Sequence, residues 1–287
     1  MALTTAVRLY VNRWLQKVHL RLDTLTLEET ERRRLETLEQ LGFFEHQVFP
    51  LLRGFEIMAF EPILEELSLY ASRCNDFEDP LRNDVGYTFD NGYFSSPDAE
   101  VVYTIIRKFK PETVVEVGSG HSTKVIRQAV LDGNLNTCLI SIDPQPSTEI
   151  ANLVDKVYRE PVETMRNMEL LGSLKDRDIL FIDSSHEIKV GNDVPFLYLI
   201  VIPSLPPGVL VHIHDVFLPY DYPKEWVMSI HPTFNEQYLV QSMLTYSSAF
   251  EVLWAGYFLQ RTRPDFAQHF PSLKGRLAQS LWLRKTS

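Results

Sequence analysis

Acids and histidines stand at the ends of two apolar segments of this 287-residue chain. Asp183 follows the run ILFI and precedes His186 by three residues, while His214 and Asp215 end the run GVLVHIHD. A carboxylate that ends a buried strand is rarely there for packing. Asp and His are suitable ligands for Mg²⁺, Mn²⁺ or Fe²⁺, and an imidazole with a pKa of ~6.5 can act as a general base. We therefore expect these four side chains to be catalytic.

A second candidate site is the small-residue turn Gly118-Ser119-Gly120, which follows the apolar run VVEV. Glycines in such a turn let the backbone approach a ligand closely. A dinucleotide fingerprint needs glycine at position 123, where Thr123 stands, and no Gly-Lys-Ser/Thr follows for a phosphate-gripping loop. The turn therefore indicates a ligand other than a dinucleotide, and it excludes a nucleotide-phosphate loop.

Strands and helices alternate from Pro97 onward. These elements must position the acids and histidines as well as the glycine turn. Predicted strands cover 113–117, 138–142, a short stretch around Val157, 178–183, 209–214 and 251–257. Predicted helices cover 98–109, 122–131, a short stretch near Thr148, 162–171, 194–202 and 235–247. Near-continuous apolar strands in βα alternation indicate an α/β, doubly wound parallel sheet covered on both faces. Its carboxyl edge should bring the acids, the histidines and the turn together.

The turn resembles motif I of the class I S-adenosylmethionine-dependent methyltransferases. That motif consists of an acid, two glycines and a Ser or Thr, and here it reads Glu116, Gly118, Gly120 and Ser122. Asp143 ends the second strand, where the family's acid accepts hydrogen bonds from ribose hydroxyls, and a carboxylate can accept two at once. The resemblance implies a mostly parallel seven-stranded sheet with a Rossmann-like methyltransferase fold, and S-adenosyl-L-methionine as the cofactor.

The same resemblance implies roles for individual residues around the cofactor. Glu116 would bind the methionine amino end, Gly118, Ser119 and Gly120 would pass beneath the cofactor, and Glu160 would lie near the adenine. A solvated loop position is the alternative for Glu160.

A metal pattern is present in part. In the branches similar to catechol and macrocin O-methyltransferases, an Asp after the fourth strand and an Asp-Asn or Asp-Asp pair after the fifth hold Mg²⁺. Asp183 and His214-Asp215 occupy these places here, and the histidine shifts the expected ion toward Mn²⁺ or Fe²⁺. Gln237 is a further candidate ligand or substrate contact, with helix capping as its alternative.

His212 is expected to be a hydrogen-bonded structural residue on the same face of its strand as His214. Its His-x-His pattern also occurs in small β-barrel oxygenases, but that fold needs many short strands and a Glu a few residues downstream. The next glutamate is Glu225, and the surrounding segments alternate between strand and helix. The barrel is therefore disfavoured.

Charge is unevenly distributed along the chain, whose formal net charge is −10. Residues 1–22 carry four basic residues and no acid, and residues 261–287 carry six basic residues and one acid. The body, 23–260, has 18 basic against 37 acidic residues, a net charge of −19. An acidic body disfavours nucleic acid as a partner and favours a small-molecule acceptor.

The pattern divides the chain into three regions: an N-terminal helical lid or dimerisation region (1–84), the methyltransferase domain (85–260) and a basic C-terminal helical tail (261–287). In the first region, Val7, Tyr10, Val11, Trp14 and Val18 form an apolar stripe at helical spacing. This helix has three possible roles: it packs on the acidic body, it is exchanged within a homodimer, or it attaches to anionic lipid.

The predicted setting is cytoplasmic. Cys74 and Cys138 lack partners at disulfide or zinc spacing, and no run of ~18 apolar residues suggests a spanning helix. The leading hypothesis is a class I methyltransferase that methylates an oxygen or nitrogen of a small metabolite, assisted by a divalent ion or by a histidine base. The alternatives are a metal-dependent hydroxylase or oxygenase on the same fold, resembling the cephalosporin hydroxylases, and a non-catalytic cofactor-binding module.

Overall fold

A seven-stranded sheet forms the centre of the computed structural model, which describes residues 2–20, 26–165, 169–230 and 233–287. The strand order is β3-β2-β1-β4-β5-β7-β6, and all neighbours from β3 to β5 are parallel. The strands are β1 (Thr113–Val117), β2 (Cys138–Ile142), β3 (Lys156–Tyr158), β4 (Ile179–Ile182), β5 (Leu210–Ile213), β6 (Phe250–Ala255) and β7 (Leu281–Lys285). This is the mostly parallel seven-stranded sheet that the resemblance implied.

Helices cover both faces of the sheet and extend before it in the chain. They are α1 (Ala2–Leu15), α2 (Thr26–Gln40), α3 (Arg53–Glu56), α4 (Glu61–Cys74), α5 (Asp98–Phe109), α6 (His121–Asp132), α7 (Thr148–Ala151), α8 (Glu169–Gly172), α9 (Asp193–Phe196), α10 (Ile202–Ser204), α11 (Gln237–Tyr246), α12 (Gly256–Thr262) and α13 (Phe266–His269). Two π-helical stretches, Leu197–Val201 and Trp226–Ile230, and several short 3₁₀ helices complete the regular structure of the described residues.

The strongest sequence patterns predicted their elements to the residue. The bounds of α5, β1 and β2 agree with the prediction, because buried apolar runs and the turns between them mark these elements clearly. The helix predicted for 162–171 is a 3₁₀ turn (Val162–Thr164) and the short α8, and 166–168 lie outside the described residues.

The basic C-terminal region corrects the predicted domain organisation. Leu281–Lys285 is not helical: it is β7, which lies antiparallel between β5 and β6 in the middle of this half of the sheet. Its apolar side chains are buried. Lys285 is buried as well, with its Nζ 5.1 Å from the ring centroid of Phe250. The domain that contains the sheet therefore does not end at residue 260. The basic residues in this region gave no sign of a strand, and the two strands that pair with it, β5 and β6, precede it by many residues.

The region before the sheet contributes to the same core from Leu52 onward. Leu52, Phe55 and Leu67 are buried in the cluster that contains the sheet side chains, and α4 packs against α5. The apolar side chains of α1, in contrast, are exposed at Val7 and Trp14. The lid or dimerisation role of this region stays a prediction. In the part of the chain that is described, no helix has the length and apolar character needed to cross a membrane.

Trp282 should anchor β7, because its indole is fully buried against the rings of His212 and Phe181. We expect Trp282→Ala to lower the free energy of unfolding by about 3–5 kcal/mol through the cavity it leaves. Trp14→Ala, the same change at an exposed indole, should alter it by less than about 0.5 kcal/mol. Chemical denaturation of both variants checks this, and equal effects would contradict the placement of β7.

Candidate functional site

A cleft of about 680 Å³ opens at the carboxyl ends of β1, β2 and β4, next to the point where the strand order reverses. Ligands bind at such a point in doubly wound sheets. The cleft is lined by the turn after β1, the end of β2 and the loops after β3 and β4, together with two aromatic residues: Tyr93, Phe94, Val117, Gly118, Ser119, Gly120, His121, Ile142, Asp143, Pro144, Pro161, Val162, Glu163, Asp183, Ser184, Ser185, Asn192 and Asp193.

The two glycines of the turn have different tasks. Gly118 has a φ of +82°, and a Cβ there would lie 1.8 Å from the backbone oxygen of Asp183. Only glycine allows this close approach between the turn and the end of β4. A Cβ on Gly120 would meet no atom within 4 Å, so this residue borders open space in the cleft.

Asp143 lies in the cleft, as predicted for the residue that would bind ribose. Its Oδ2 accepts hydrogen bonds from the Ser119 amide and hydroxyl at 3.0 and 2.9 Å, and its Oδ1 accepts one from Gln145 N at 2.7 Å. These bonds fix the carboxylate against the glycine turn. An ionised carboxylate offers about four acceptor positions, so capacity remains for a hydroxyl of a ligand.

Two residues of the predicted cofactor set, Glu116 and Ser122, do not line the cleft. The prediction that they contact the cofactor is corrected accordingly. Glu116 is fully buried beneath the turn, where it accepts hydrogen bonds of 2.6 Å from the hydroxyls of both Ser122 and Thr123. Thr123 Oγ1 also accepts the Gly120 amide at 3.0 Å. The threonine that departs from a dinucleotide fingerprint thus supports the turn from below, and Glu116 shapes it without facing the ligand space.

Burial raises the pKa of Glu116 to about 8, although the two hydroxyl hydrogen bonds oppose this shift. Glu160 is also not among the cleft residues, whereas Glu163 is. Of these two acids, the one that lines the cleft is Glu163, three residues further along the loop after β3. The sequence offered two acids in one short loop and no periodicity to choose between them.

Asp183, His186 and Asp215 form a cluster whose potential ligand atoms all lie within 4.8 Å of one another. His186 Nε2 is 3.2 Å from Asp183 Oδ1 and 3.4 Å from Asp215 Oδ2. His214 Nδ1 lies 3.5 Å from Asp183 Oδ1 and 3.2 Å from Asp215 Oδ1. The structure thus brings together all four residues predicted from the strand ends.

Two further acids lie beside the far sides of the two imidazoles, and sequence reasoning missed both. Glu236, which is 1% exposed, has Oε2 at 2.8 Å from His186 Nδ1. Asp98 Oδ2 lies 3.6 Å from His214 Nε2 and also accepts the Gln279 amide that leads into β7. Each histidine therefore has one ring nitrogen toward the central carboxylates and the other toward an outer acid. Burial is the signal that distinguishes these acids, and it is not visible in sequence.

The charges of the cluster depend on one another. Burial alone would lower the pKa of His186 and His214, but the facing carboxylates raise both well above the ordinary value. Burial likewise opposes ionisation of Asp183, yet the two histidines hold its pKa well below its usual range. Asp183 and the two imidazoles therefore favour one another's charged forms.

Backbone strain accompanies the cluster. His186 and Asp215 have φ values of +57° and +59°, in the left-handed region that costs non-glycine residues energy. The carbonyl of His186 accepts the amides of Asn235 and Glu236 at 3.0 and 3.2 Å. These bonds hold the strained residue and place Glu236 behind its ring.

Gln237 does not join the cluster, which corrects the predicted ligand set. Its Oε1 accepts the Phe217 amide at 3.0 Å, and its Nε2 donates to Asp221 Oδ1 at 3.2 Å. Both ends of the amide are therefore occupied by the loop after β5. His212, as expected, is a structural residue: its Nε2 is 2.9 Å from Ser280 Oγ, and its ring stacks on Phe181.

The aromatic segment before α5 contributes to the cleft through two residues. Tyr87 and Phe89 are buried in the core, whereas Phe94 lines the cleft and its ring centroid is 4.9 Å from that of His214. Tyr93 is 80% exposed and stacks on His121 at 5.9 Å. The wall of the cleft near the cluster is thus partly aromatic.

Stability should report the protonation state of Glu116. The unfolded carboxyl ionises near pH 4.5 and the folded one near pH 8. This residue therefore lowers the free energy of unfolding by ~1.4 kcal/mol for each pH unit between these values. Glu116→Gln lacks this loss, so its stability relative to the wild type should increase from pH 5 to pH 8.

Chemical denaturation across this pH range measures the effect. Glu100, whose pKa burial raises to about 7, is present in both proteins and cancels in the difference. Glu65→Gln, at an exposed position on α4, should show no such trend. A difference between Glu116→Gln and the wild type that stays constant with pH would mean that Glu116 is ionised in the folded protein.

Comparison with known proteins gives one family match. Residues 115–216 match the family model described as a methyltransferase domain. This segment contains the glycine turn, Asp143 and the residues after β4 and β5 that form the cluster. No curated protein sequence matches the chain.

Three similar solved structures are distant. The apo structure of CmcI-N160 is 15% identical, with 71% of this chain and 80% of that chain covered and a TM-score of 0.42. SAH-bound PaMTH1 of Podospora anserina is 15% identical, with 93% and 100% covered and a TM-score of 0.42. The Bacillus cereus O-methyltransferase in complex with SAH is 12% identical, with 80% and 93% covered and a TM-score of 0.39. At these TM-scores the similarities carry no functional argument. The family match instead confirms the predicted methyltransferase domain over residues 115–216, and the observed seven-stranded sheet has the predicted Rossmann-like topology.

Proposed function

We propose that this protein transfers a methyl group from S-adenosylmethionine to an oxygen or nitrogen of a small metabolite. One observation carries the proposal: Asp183 belongs both to the wall of the cleft and to the acid–histidine cluster. A cofactor seated on the glycine turn would therefore lie beside the groups that can orient and deprotonate an acceptor. Holding a nucleophile in line with the methyl group is the main task of such an enzyme.

The cofactor would use the cleft from the glycine turn to the loop after β3. Asp143 would accept hydrogen bonds from the ribose hydroxyls, and the open face of Gly120 would allow the cofactor to approach the backbone. Glu163 lies on the wall where the adenine would be expected. The positively charged sulfonium would point toward Asp183, whose negative charge is favourable beside it.

The cluster by itself is not a good general base at neutral pH. Its histidines already hold protons, because the surrounding carboxylates raise their pKa, and Asp183 is a weak base because its pKa is low. A general base works best with a pKa near the operating pH. Replacement of the imidazole protons by a divalent ion would resolve this mismatch.

The residues present fit a divalent ion. Asp183, His186 and Asp215 each offer one ligand atom within 4.8 Å of the others, and His214 Nδ1 lies within 3.5 Å of both carboxylates. Asp215 Oδ1 is buried and accepts no hydrogen bond among the described residues, although His214 Nδ1 is 3.2 Å away. Two imidazoles favour Mn²⁺ or Fe²⁺ over Mg²⁺. Such an ion, when bound, orients an acceptor oxygen and lowers its pKa. Glu236 and Asp98 would keep the two rings turned toward the centre.

Calorimetric titration with S-adenosylmethionine tests the cofactor site. Asp143→Ala should weaken binding at least ~10-fold, because it removes a charged partner of the ribose hydroxyls. Gly120→Val should also weaken binding, since its side chain enters the open cleft without a clash in the fold. Glu65→Ala, at an exposed acid on α4, serves as the matched control and should bind like the wild type.

Absence of binding in the wild-type protein would contradict the proposed function. An iron-loaded protein that binds no S-adenosylmethionine would instead favour the metal-dependent hydroxylase or oxygenase, since the imidazole-rich cluster also suits that chemistry.

Titration of the metal-stripped protein with Mn²⁺ tests the cluster. Asp183→Asn and His186→Ala should abolish binding, and Glu236→Gln should weaken it ~10–100-fold because the ring of His186 loses its outer carboxylate. Affinity should rise with pH, since an imidazole must lose its proton before it can bind the ion. His269→Ala, a histidine outside the cluster, is the control. Full Mn²⁺ affinity in His186→Ala would exclude the proposed ligand set.

A further inference from the structure

The exposed face of α1 combines apolar and cationic side chains. Val7, Tyr10 and Trp14 recur at helical spacing, and Val18 continues their row in the 3₁₀ turn that follows. Each of these four side chains is more than half exposed. Burial on folding therefore does not explain this row.

Basic residues border the row. Arg13 and Lys17 are both exposed, and Lys17 Nζ lies 4.4 Å from the ring centroid of Trp14. Residues 1–22 contain four basic residues and no acid, whereas the body carries a net charge of −19. We call Val7, Tyr10, Arg13, Trp14, Lys17 and Val18 together the α1 face.

We propose that the α1 face binds the surface of a membrane that contains anionic lipid. A helix lying in that interface inserts its apolar row among the acyl chains while its Lys and Arg side chains meet the headgroups. Trp and Tyr rings are favoured at the same depth, where one end is apolar and the other is hydrated. The α1 face matches both layers of such a surface.

Charge complementarity favours lipid over a second copy of the chain. Two α1 faces packed against each other would bring four basic residues together without an acid, namely Arg13 and Lys17 of each copy. The acidic side chains of a second copy's body would pair with Arg13 and Lys17 but would not cover an apolar row. An anionic bilayer satisfies the cations and the apolar row at once. The proposal does not depend on the identity of the methyl acceptor.

Co-sedimentation of the full chain with vesicles tests the proposal. We expect at least ~10-fold stronger partition onto phosphatidylcholine vesicles with about 25% phosphatidylglycerol than onto pure phosphatidylcholine, and a decrease as salt rises. Trp14→Ala should weaken binding as well, because the apolar contact is lost. Leu81→Ala is its control, since Leu81 is also an exposed apolar residue.

The charge-reversed variant Arg13→Glu/Lys17→Glu should reduce binding to anionic vesicles at least ~10-fold. Lys156→Glu/Lys175→Glu has the same change in net charge at exposed positions elsewhere and should bind like the wild type. Both variants should unfold at the same temperature as the wild type. Thermal unfolding is therefore the control that the fold is intact.

Three results would overturn the proposal. One is equal binding to neutral and anionic vesicles, and another is wild-type binding by Arg13→Glu/Lys17→Glu. The third is a dimer in solution that this variant dissociates, in a protein that binds no vesicles, because the partner of the α1 face would then be a second copy.

Discussion

Mutual neutralisation of buried acids and imidazoles at the ends of β4 and β5 is the interaction on which the site depends. A buried carboxylate or imidazolium by itself would be strongly disfavoured. Here each central group faces opposite charge, with Asp183 between His186 and His214 at 3.2 and 3.5 Å. The outer acids Glu236 and Asp98 complete the arrangement. They also connect the site to α11 and, through Asp98, to β7, so distant parts of the chain have to be in place before the cluster can form.

The glycine turn is attached to this cluster through a single steric constraint. Gly118 lies so close to the backbone of Asp183 that no side chain fits between them. Above this contact the turn borders the cleft, and below it Glu116 and Thr123 hold the turn through hydroxyl hydrogen bonds. The proposed cofactor site and the proposed acceptor site therefore share one wall. This proximity would allow residues that follow β1, β2, β4 and β5 to contribute to the one proposed reaction.

Much of the fold was predictable because apolar runs and turn residues are local signals. α5, β1 and β2 were predicted with their observed bounds, and Asp143, Asp183, His214 and Asp215 stand where strand ends require them. The roles of Glu116, Glu160 and Gln237 were less predictable. Each is a polar residue within or next to a predicted element. Only the neighbours in space show that Glu116 supports the turn, that Glu163 lines the cleft in place of Glu160 and that Gln237 binds the loop after β5.

The sequence alone determined the alternation of strands and helices, the position of the glycine turn and the acids and histidines at the strand ends. These follow from spacing along the chain, since burial of a strand and the geometry of a turn act over a few residues. Tertiary structure decided that Leu281–Lys285 enters the sheet, that Glu236 and Asp98 lie behind the imidazoles and that the apolar row of α1 stays exposed. Those outcomes depend on which distant segments meet, and on the charge and burial that each side chain then experiences.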